Sequence, residues 1–186
     1  VTTRAEHWRD NEQGYGYVTR FLHWSMALLF LWQFTSGVLR VVAKDTDIAT
    51  FFWRTHHSVG FTLFLLVLIR GAWGLFNAGR RPAHSRNLMG RGAQVGHLLL
   101  YLLMIVVPAL AIVRAYGRGR GFQPFGVPLF EATGIQMPAL MAPGNALHGL
   151  LGWVLLALIA GHITMALVHR LVWKDGVYQR MVRGKG

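Results

Sequence analysis

Nine histidines and no cysteine define the chemistry open to this chain of 186 residues. Without cysteine there is no disulfide, no thiolate-held zinc or iron–sulfur cluster, and no C-x-x-C-H attachment of a c-type haem. Imidazole is the strong ligand that remains. Two histidines, His148 and His162, lie within one apolar stretch, residues 145–173, that carries no acid or base before Arg170. They are 14 positions apart. That is close to four helical turns, so both rings leave one helix face, about 21 Å apart along the axis. Ionisable groups at such depth in a bilayer face the bundle interior and are functional by default. A lone buried histidine is more often a hydrogen-bonded core residue. Two on one face, with histidines at matching depths on other spans, point to ligation.

The elements that position these rings are read from hydropathy. Hydrophobic residues make up 53% of the chain and charged residues 14%, and the mean hydropathy is +0.37. That is too apolar for an ordinary soluble domain. Four apolar stretches are expected to be membrane-spanning helices, at about 18–41, 55–76, 93–115 and 145–172. The fold class expected is an all-α membrane protein, a four-transmembrane-helix bundle forming a single membrane domain over 1–186 with no soluble domain. Residues 1–16 read as a polar cytoplasmic arm rather than a cleavable signal. Pro108 should kink the third span. Gln33, in the middle of the first, should face other helices. Pro143 and Gly144 should end a long loop, with Asn145 as N-cap of the fourth span. His7 and His84 read as solvated.

The net charge of +12 rests on 19 Lys and Arg against 7 Asp and Glu. In a soluble protein this balance would suggest nucleic acid. Here the basic residues fall between apolar spans, so anionic lipid and topology account for them and no nucleic-acid partner is expected. With the N-terminus in the cytoplasm, that side holds 13 of the Arg and Lys residues and the other side 6. The positive-inside rule therefore puts both termini in the cytoplasm.

Depth then sorts the histidines into two couples. His23 opens the first span on the cytoplasmic side, level with His162 deep in the fourth. His56, or its neighbour His57, opens the second span on the outer side, level with His148. A pair of imidazoles facing each other inside a bundle is what a bis-histidine haem needs, one axial ligand on each face of a flat ring. His97, at the cytoplasmic level of the third span, competes as a ligand, or as a contact to a haem propionate or a quinone. Arg70 reads either as a snorkelling cation or as a counter-charge to an anionic cofactor group. Gly60, Gly149, Gly152 and Gly161 offer either room for a macrocycle or small-residue helix packing. His169 follows His162 by two turns and is expected near the interface.

The residues together resemble the bacterial cytochrome b561 family of four-helix dihaem membrane proteins, from Tyr15 to Met181. The likeness is carried by Tyr15-Gly16 and Leu22-His23-Trp24, by the H-x-S-x-G run from His56 to Gly60 with Leu68-Ile69-Arg70, by Gly96-His97 with Leu100-Tyr101-Leu102 and Pro108, and by Leu147-His148, His162, His169 and Asp175-Gly176-Val177 with Arg180-Met181. The resemblance implies two non-covalent haems b, each bis-histidine. The ligands implied are His23 and His162 for one haem iron and His56 and His148 for the other. It favours His56 over His57, because the ligand there precedes x-S-x-G. One position departs from the pattern: Gly149 stands where the family often has an acid, so no role of that acid carries over.

The resemblance also implies an inner-membrane protein that exchanges electrons with ubiquinone or ubiquinol. Two readings follow. One is a superoxide:ubiquinone oxidoreductase, with Arg54, Arg118 and Arg120 as candidate residues steering the small anion from the periplasmic side. The other is a cytochrome b subunit that relays electrons from a periplasmic redox partner, a hydrogenase-like dehydrogenase, to quinone. A histidine-lined metal transporter is a remote third, lacking intramembrane carboxylates.

Overall fold

A computed structural model describes residues 8–81 and 87–184. His7, His84 and the basic residues Arg4, Arg86 and Lys185 lie outside the described residues. The chain forms four long helices: α1 (Tyr17–Val42), α2 (Asp47–Phe76), α3 (Leu88–Gly117) and α4 (Pro138–Val168). A π-helical turn, His169–Trp173, prolongs α4, and a short α5 (Val177–Val182) follows. All four long helices are long and apolar enough to cross a membrane. No strand forms among the described residues; the connection between α3 and α4 holds a single isolated bridge, Phe122 to Phe130.

Polar side chains cap two of the helices, α2 and α3, ahead of their apolar stretches. Thr46 caps α2 by accepting from Ala49 N at 3.3 Å, and Asp47 faces the positive end of the helix. Asn87 caps α3 by accepting from Gly90 N at 2.9 Å. The loop between α1 and α2 therefore shrinks to residues 43–46.

The start of α4 differs most from the sequence expectation. Asn145 is not its N-cap: α4 begins seven residues earlier, at Pro138, after extended Met137. Proline at the first helical position lacks only an N–H that has no intrahelical partner there. Gly144 is not a stop signal either. It is buried, and a Cβ there would stand 2.6 Å from Leu110 O and 2.7 Å from Arg114 Cβ. Here α3 and α4 meet closely, so the glycine serves helix packing rather than the turn its Pro-Gly context suggests.

In the bundle, α1 packs along α2 and α3 along α4, and α2 touches α3 over a shorter stretch. One apolar layer at mid-height receives side chains from all four helices: Met26, Leu63, Val67, Leu100, Met104 and Leu155. Leu155 lies seven positions from both His148 and His162, so this layer separates the two ends. Between helices in lipid there is little hydrophobic drive, and such interdigitation supplies the dispersion contacts that hold them. Outward faces carry exposed residues such as Leu28, Leu31, Phe51, Leu98 and Ile163, as lipid contact requires.

The two termini meet at one end of the bundle, called here the terminal end. Arg20 Nη1 donates to Val182 O at 2.9 Å and Tyr15 N to Arg180 O at 3.4 Å. Buried Asp10 accepts from Gly16 N and from Arg81 Nε, each at 2.9 Å, which ties the arm to the start of the α2–α3 loop. Burial raises the Tyr15 phenol above its usual pKa, against the opposing charge of Arg81. The opposite, loop end carries the short α1–α2 loop and residues 118–137, the latter tied to α2 by Phe125 N donating to Ser58 Oγ at 3.1 Å.

These placements predict that Asn145→Ala changes unfolding free energy by less than about 0.5 kcal/mol, as an exposed helix-interior site does. Gly144→Val should cost about 1–3 kcal/mol through overpacking against α3. Unfolding of the two variants in detergent, followed by circular dichroism, checks both.

Candidate functional site

The structure brings His56 of α2 and His148 of α4 together at the loop end, ring centres 6.5 Å apart and nearly perpendicular at 80°. Their hydrogen bonds decide which nitrogen is free. Fully buried Ser36 donates its one proton to Gln33 O at 2.6 Å. Its oxygen must then accept from His56 Nδ1, also at 2.6 Å. His56 is thus the Nδ1–H tautomer, with its lone pair on Nε2, which faces the Gln33 amide at 3.1 Å. That same amide donates to His56 O at 3.1 Å. His148 donates Nδ1–H to Val107 O at 2.9 Å, since a carbonyl can only accept. Both rings therefore carry the Nε2 lone pair, with the tautomer set by a partner at Nδ1, the arrangement metal-binding imidazoles use. His57 is exposed, whereas its neighbour His56 is half-buried.

At the terminal end, His23 of α1 faces His162 of α4, ring centres 6.2 Å apart at 85°. His97 of α3 stands 5.4 Å from His162 at 72° and is exposed. Two imidazoles bound to one metal at about 2 Å each have centres about 6 Å apart. The two opposed couples match that spacing, and His97 to His162 falls short of it. Because α4 is helical from Pro138 to Val168, the couples are separated by about 21 Å along it.

Among the described residues, cations without acidic partners sit beside both couples. Half-buried Arg70 packs its guanidinium 5.4 Å from the Tyr101 ring centre. Its Nε is buried with no hydrogen-bond partner, and it acts electrostatically on His23 and His162. An unpaired buried charge is costly, and a carboxylate placed there would relieve it. At the loop end, Arg114 acts on His56, His57 and His148, and Arg118 on His57. Arg54, Arg118 and Arg120 are exposed at that end.

The glycines divide. Gly152, one turn past His148 and half-buried, has nothing within 4 Å of a Cβ position, and neither have Gly149 and Gly161. A Cβ on Gly60 would stand 3.0 Å from Gln33 Nε2, so that glycine admits Gln33 rather than a flat ring. His169, at the π-helical turn, donates Nδ1–H to Asp175 at 2.6 Å. Slight burial opposes it, yet this bond holds the Asp175 carboxyl below its ordinary pKa.

Sequence reading missed Ser36 and Trp53. Ser36 follows Gln33 by three positions in a charge-free span, so two polar side chains share one face; that spacing was the available signal. Trp53 lies stacked on His56, ring centres 4.6 Å apart at 26°. In the sequence it is one of three consecutive aromatics, and its place three positions before His56 was the available signal.

Comparison with known proteins agrees with this architecture. The profile of the prokaryotic cytochrome b561 family matches residues 14–184. Cytochrome b561 homolog 2 of Escherichia coli (strain K12) is 29% identical over 179 residues, covering 93% of each chain. Probable superoxide oxidase CybB of Yersinia pestis is 29% identical over 168 residues, 88% of this chain and 93% of the relative. Cytochrome b562 of Cereibacter sphaeroides is 30% identical over 178 residues, 92% of this chain and 97% of the relative. The family implies haem b, and the spacing of the facing imidazoles suits an iron between them. Four apolar spans and a family profile covering nearly all of its length make this chain a multi-pass electron-transfer protein of the bacterial inner membrane, and a member of the prokaryotic cytochrome b561 family.

Proposed function

We propose that the chain holds two haem b groups, one between His56 and His148 and one between His23 and His162. It uses them to carry electrons from superoxide at the periplasmic face to ubiquinone. The observation that carries this reading is the pair of opposed imidazole couples, 6.5 Å and 6.2 Å between ring centres, at the two ends of an unbroken α4. Bound there, haem b supplies a one-electron carrier near each membrane face.

The protein's own residues do the rest. Ser36 and the Val107 carbonyl hold the outer imidazoles in one tautomer. Arg70 is the partner for a propionate at the inner couple, and Arg114 with Arg118 for one at the outer couple. His97 contacts a propionate or a quinone beside His162. The mid-height layer around Val67 and Leu155 keeps water out between the two couples, where the low dielectric protects charge moving along the bundle. The excess of Arg and Lys at the terminal end supports a cytoplasmic location for both termini, with the loop end outside.

The substrate reading has two supports. A relative at 29% identity is named a probable superoxide oxidase. The loop end also presents Arg54, Arg118 and Arg120 to solvent, and a positive field there raises the encounter rate of a small anion. Two superoxide ions release two electrons and leave as O2; two electrons and two protons convert ubiquinone to ubiquinol.

A pyridine haemochrome assay should give two b-type haems per chain. His56→Ala should lose one of them, and His57→Ala should keep both, because adjacent rings on a helix point about 100° apart. One haem in the unaltered protein, or loss of haem in His57→Ala alone, sinks the ligand assignment.

Stopped-flow mixing with superoxide should reduce the haems at a rate that falls as ionic strength rises. Changing Arg118 and Arg120 together to Gln should lower that rate about threefold or more, with quinol-driven reduction untouched. A slow, salt-independent rate in protein carrying both haems would instead favour a relay subunit for a periplasmic dehydrogenase.

A further inference from the structure

The outer couple has two neighbours through which an electron can arrive. One is His57, exposed, with its ring edge-on to His56 at 6.0 Å and 83°. The other is Trp53, half-buried, with its indole lying over the His56 ring at 4.6 Å and 26°. Face-to-face overlap of two π systems couples them far better than an edge-on contact does. The stack also leaves both nitrogens of His56 in their own plane, Nδ1 on Ser36 and Nε2 with its lone pair.

Trp53 in turn carries a cation. The guanidinium carbon of Arg40, in the last turn of α1, stands 5.2 Å from the Trp53 ring centre. Arg40 is exposed and makes no ion pair among the described residues, although Asp45 and Asp47 are close in sequence. The contact spans the α1–α2 hairpin, whose connection is only residues 43–46. Around it, Trp32 packs on Phe52 at 4.4 Å and donates Nε1–H to Thr55 Oγ1 at 2.8 Å, so the hairpin tip is a rigid aromatic wall. Arg40, Trp53 and His56 thus form a continuous stack from solvent to the outer couple.

We propose that this stack is where electrons enter the protein: a small oxyanion docks on the Arg40 guanidinium against Trp53, and its electron passes through the indole to the group held by His56. With superoxide as donor, one electron leaves the anion, which departs as O2, and that electron reduces the outer haem by one unit; no proton moves. Arg40 has two roles in the stack. It attracts the anion, and as a cation over an indole it disfavours the oxidised, more positive state of the outer centre. The inference rests on the reading that His56 and His148 hold the outer haem.

The test uses the full-length protein with both haems, as Trp53→Leu, Trp53→Phe, Arg40→Gln and His57→Leu. Haem content, quinol-driven reduction, superoxide-driven reduction and a redox titration of the two haems are measured for each. Trp53→Leu should keep both haems and quinol-driven reduction while superoxide-driven reduction falls about tenfold, a loss on the scale of steering and contact effects. Trp53→Phe, which keeps a ring over His56, should recover most of it. Arg40→Gln should lower the superoxide rate about threefold, flatten its salt dependence, and lower the outer potential. His57→Leu should stay within about twofold of the unaltered protein, since its ring meets His56 only edge-on and it adds little to the field.

An unchanged superoxide rate in Trp53→Leu with both haems present overturns the proposal, and so does a larger loss in His57→Leu than in Trp53→Leu. If Trp53→Leu sheds haem, the Arg40→Gln potential and salt slope decide: no change in either overturns it. If His56→Ala retains both haems, the fault lies in the ligand reading beneath it, and that outcome is separable from the others.

Discussion

The rest of the structure depends on a fixed distance along one helix. His148 and His162 are tied to α4, and an α-helix allows no adjustment of their separation or of the face they share. Every other element must meet them where they stand. Helix α2 presents His56 at one end and α1 presents His23 at the other, each with its ring centre a little over 6 Å from its counterpart. A bundle in lipid has little hydrophobic force to impose such registers. They come instead from shape: Gly144 lets α3 seat against α4, and Met26, Leu63, Val67, Leu100, Met104 and Leu155 interlock at mid-height.

Polar groups inside this apolar frame are arranged so that orientation follows from accounting for protons. Ser36 has one proton and gives it to Gln33 O, which leaves its oxygen to accept from His56. The Val107 carbonyl does the same for His148. Two unrelated partners, a hydroxyl on α1 and a main-chain oxygen on α3, thereby impose the same tautomer on two rings from different helices. Such control is worth more in a dry interior than near water, because an unsatisfied N–H there is costly.

The two ends of the bundle are built differently. At the terminal end, buried Asp10 ties the arm to Arg81, and Arg20 bonds the carbonyl of Val182, so the chain closes over that end. At the loop end, the cations Arg40, Arg54, Arg118 and Arg120 remain exposed. The second arrangement gives that end a positive field, which salt screens.

Much of this was legible in the chain itself. Runs of apolar residues mark the spans, because a bilayer sets a minimum length that few other environments require. The spacing of His148 and His162 follows from helix geometry alone, and the absence of cysteine narrows the ligands to imidazole. Other features were decided only by tertiary structure. Pro143-Gly144-Asn145 has the composition of a turn, yet it is helical, because α3 packs against Gly144 and its backbone needs that room. Gly60 has the same composition as Gly152 but faces Gln33 rather than open space. Spacing along one chain reports which residues share a face. It does not report which face of a neighbouring helix approaches, so Ser36 beneath His56 became visible only when α1 and α2 were packed together, whereas Trp53 stands three positions before His56 on α2 itself.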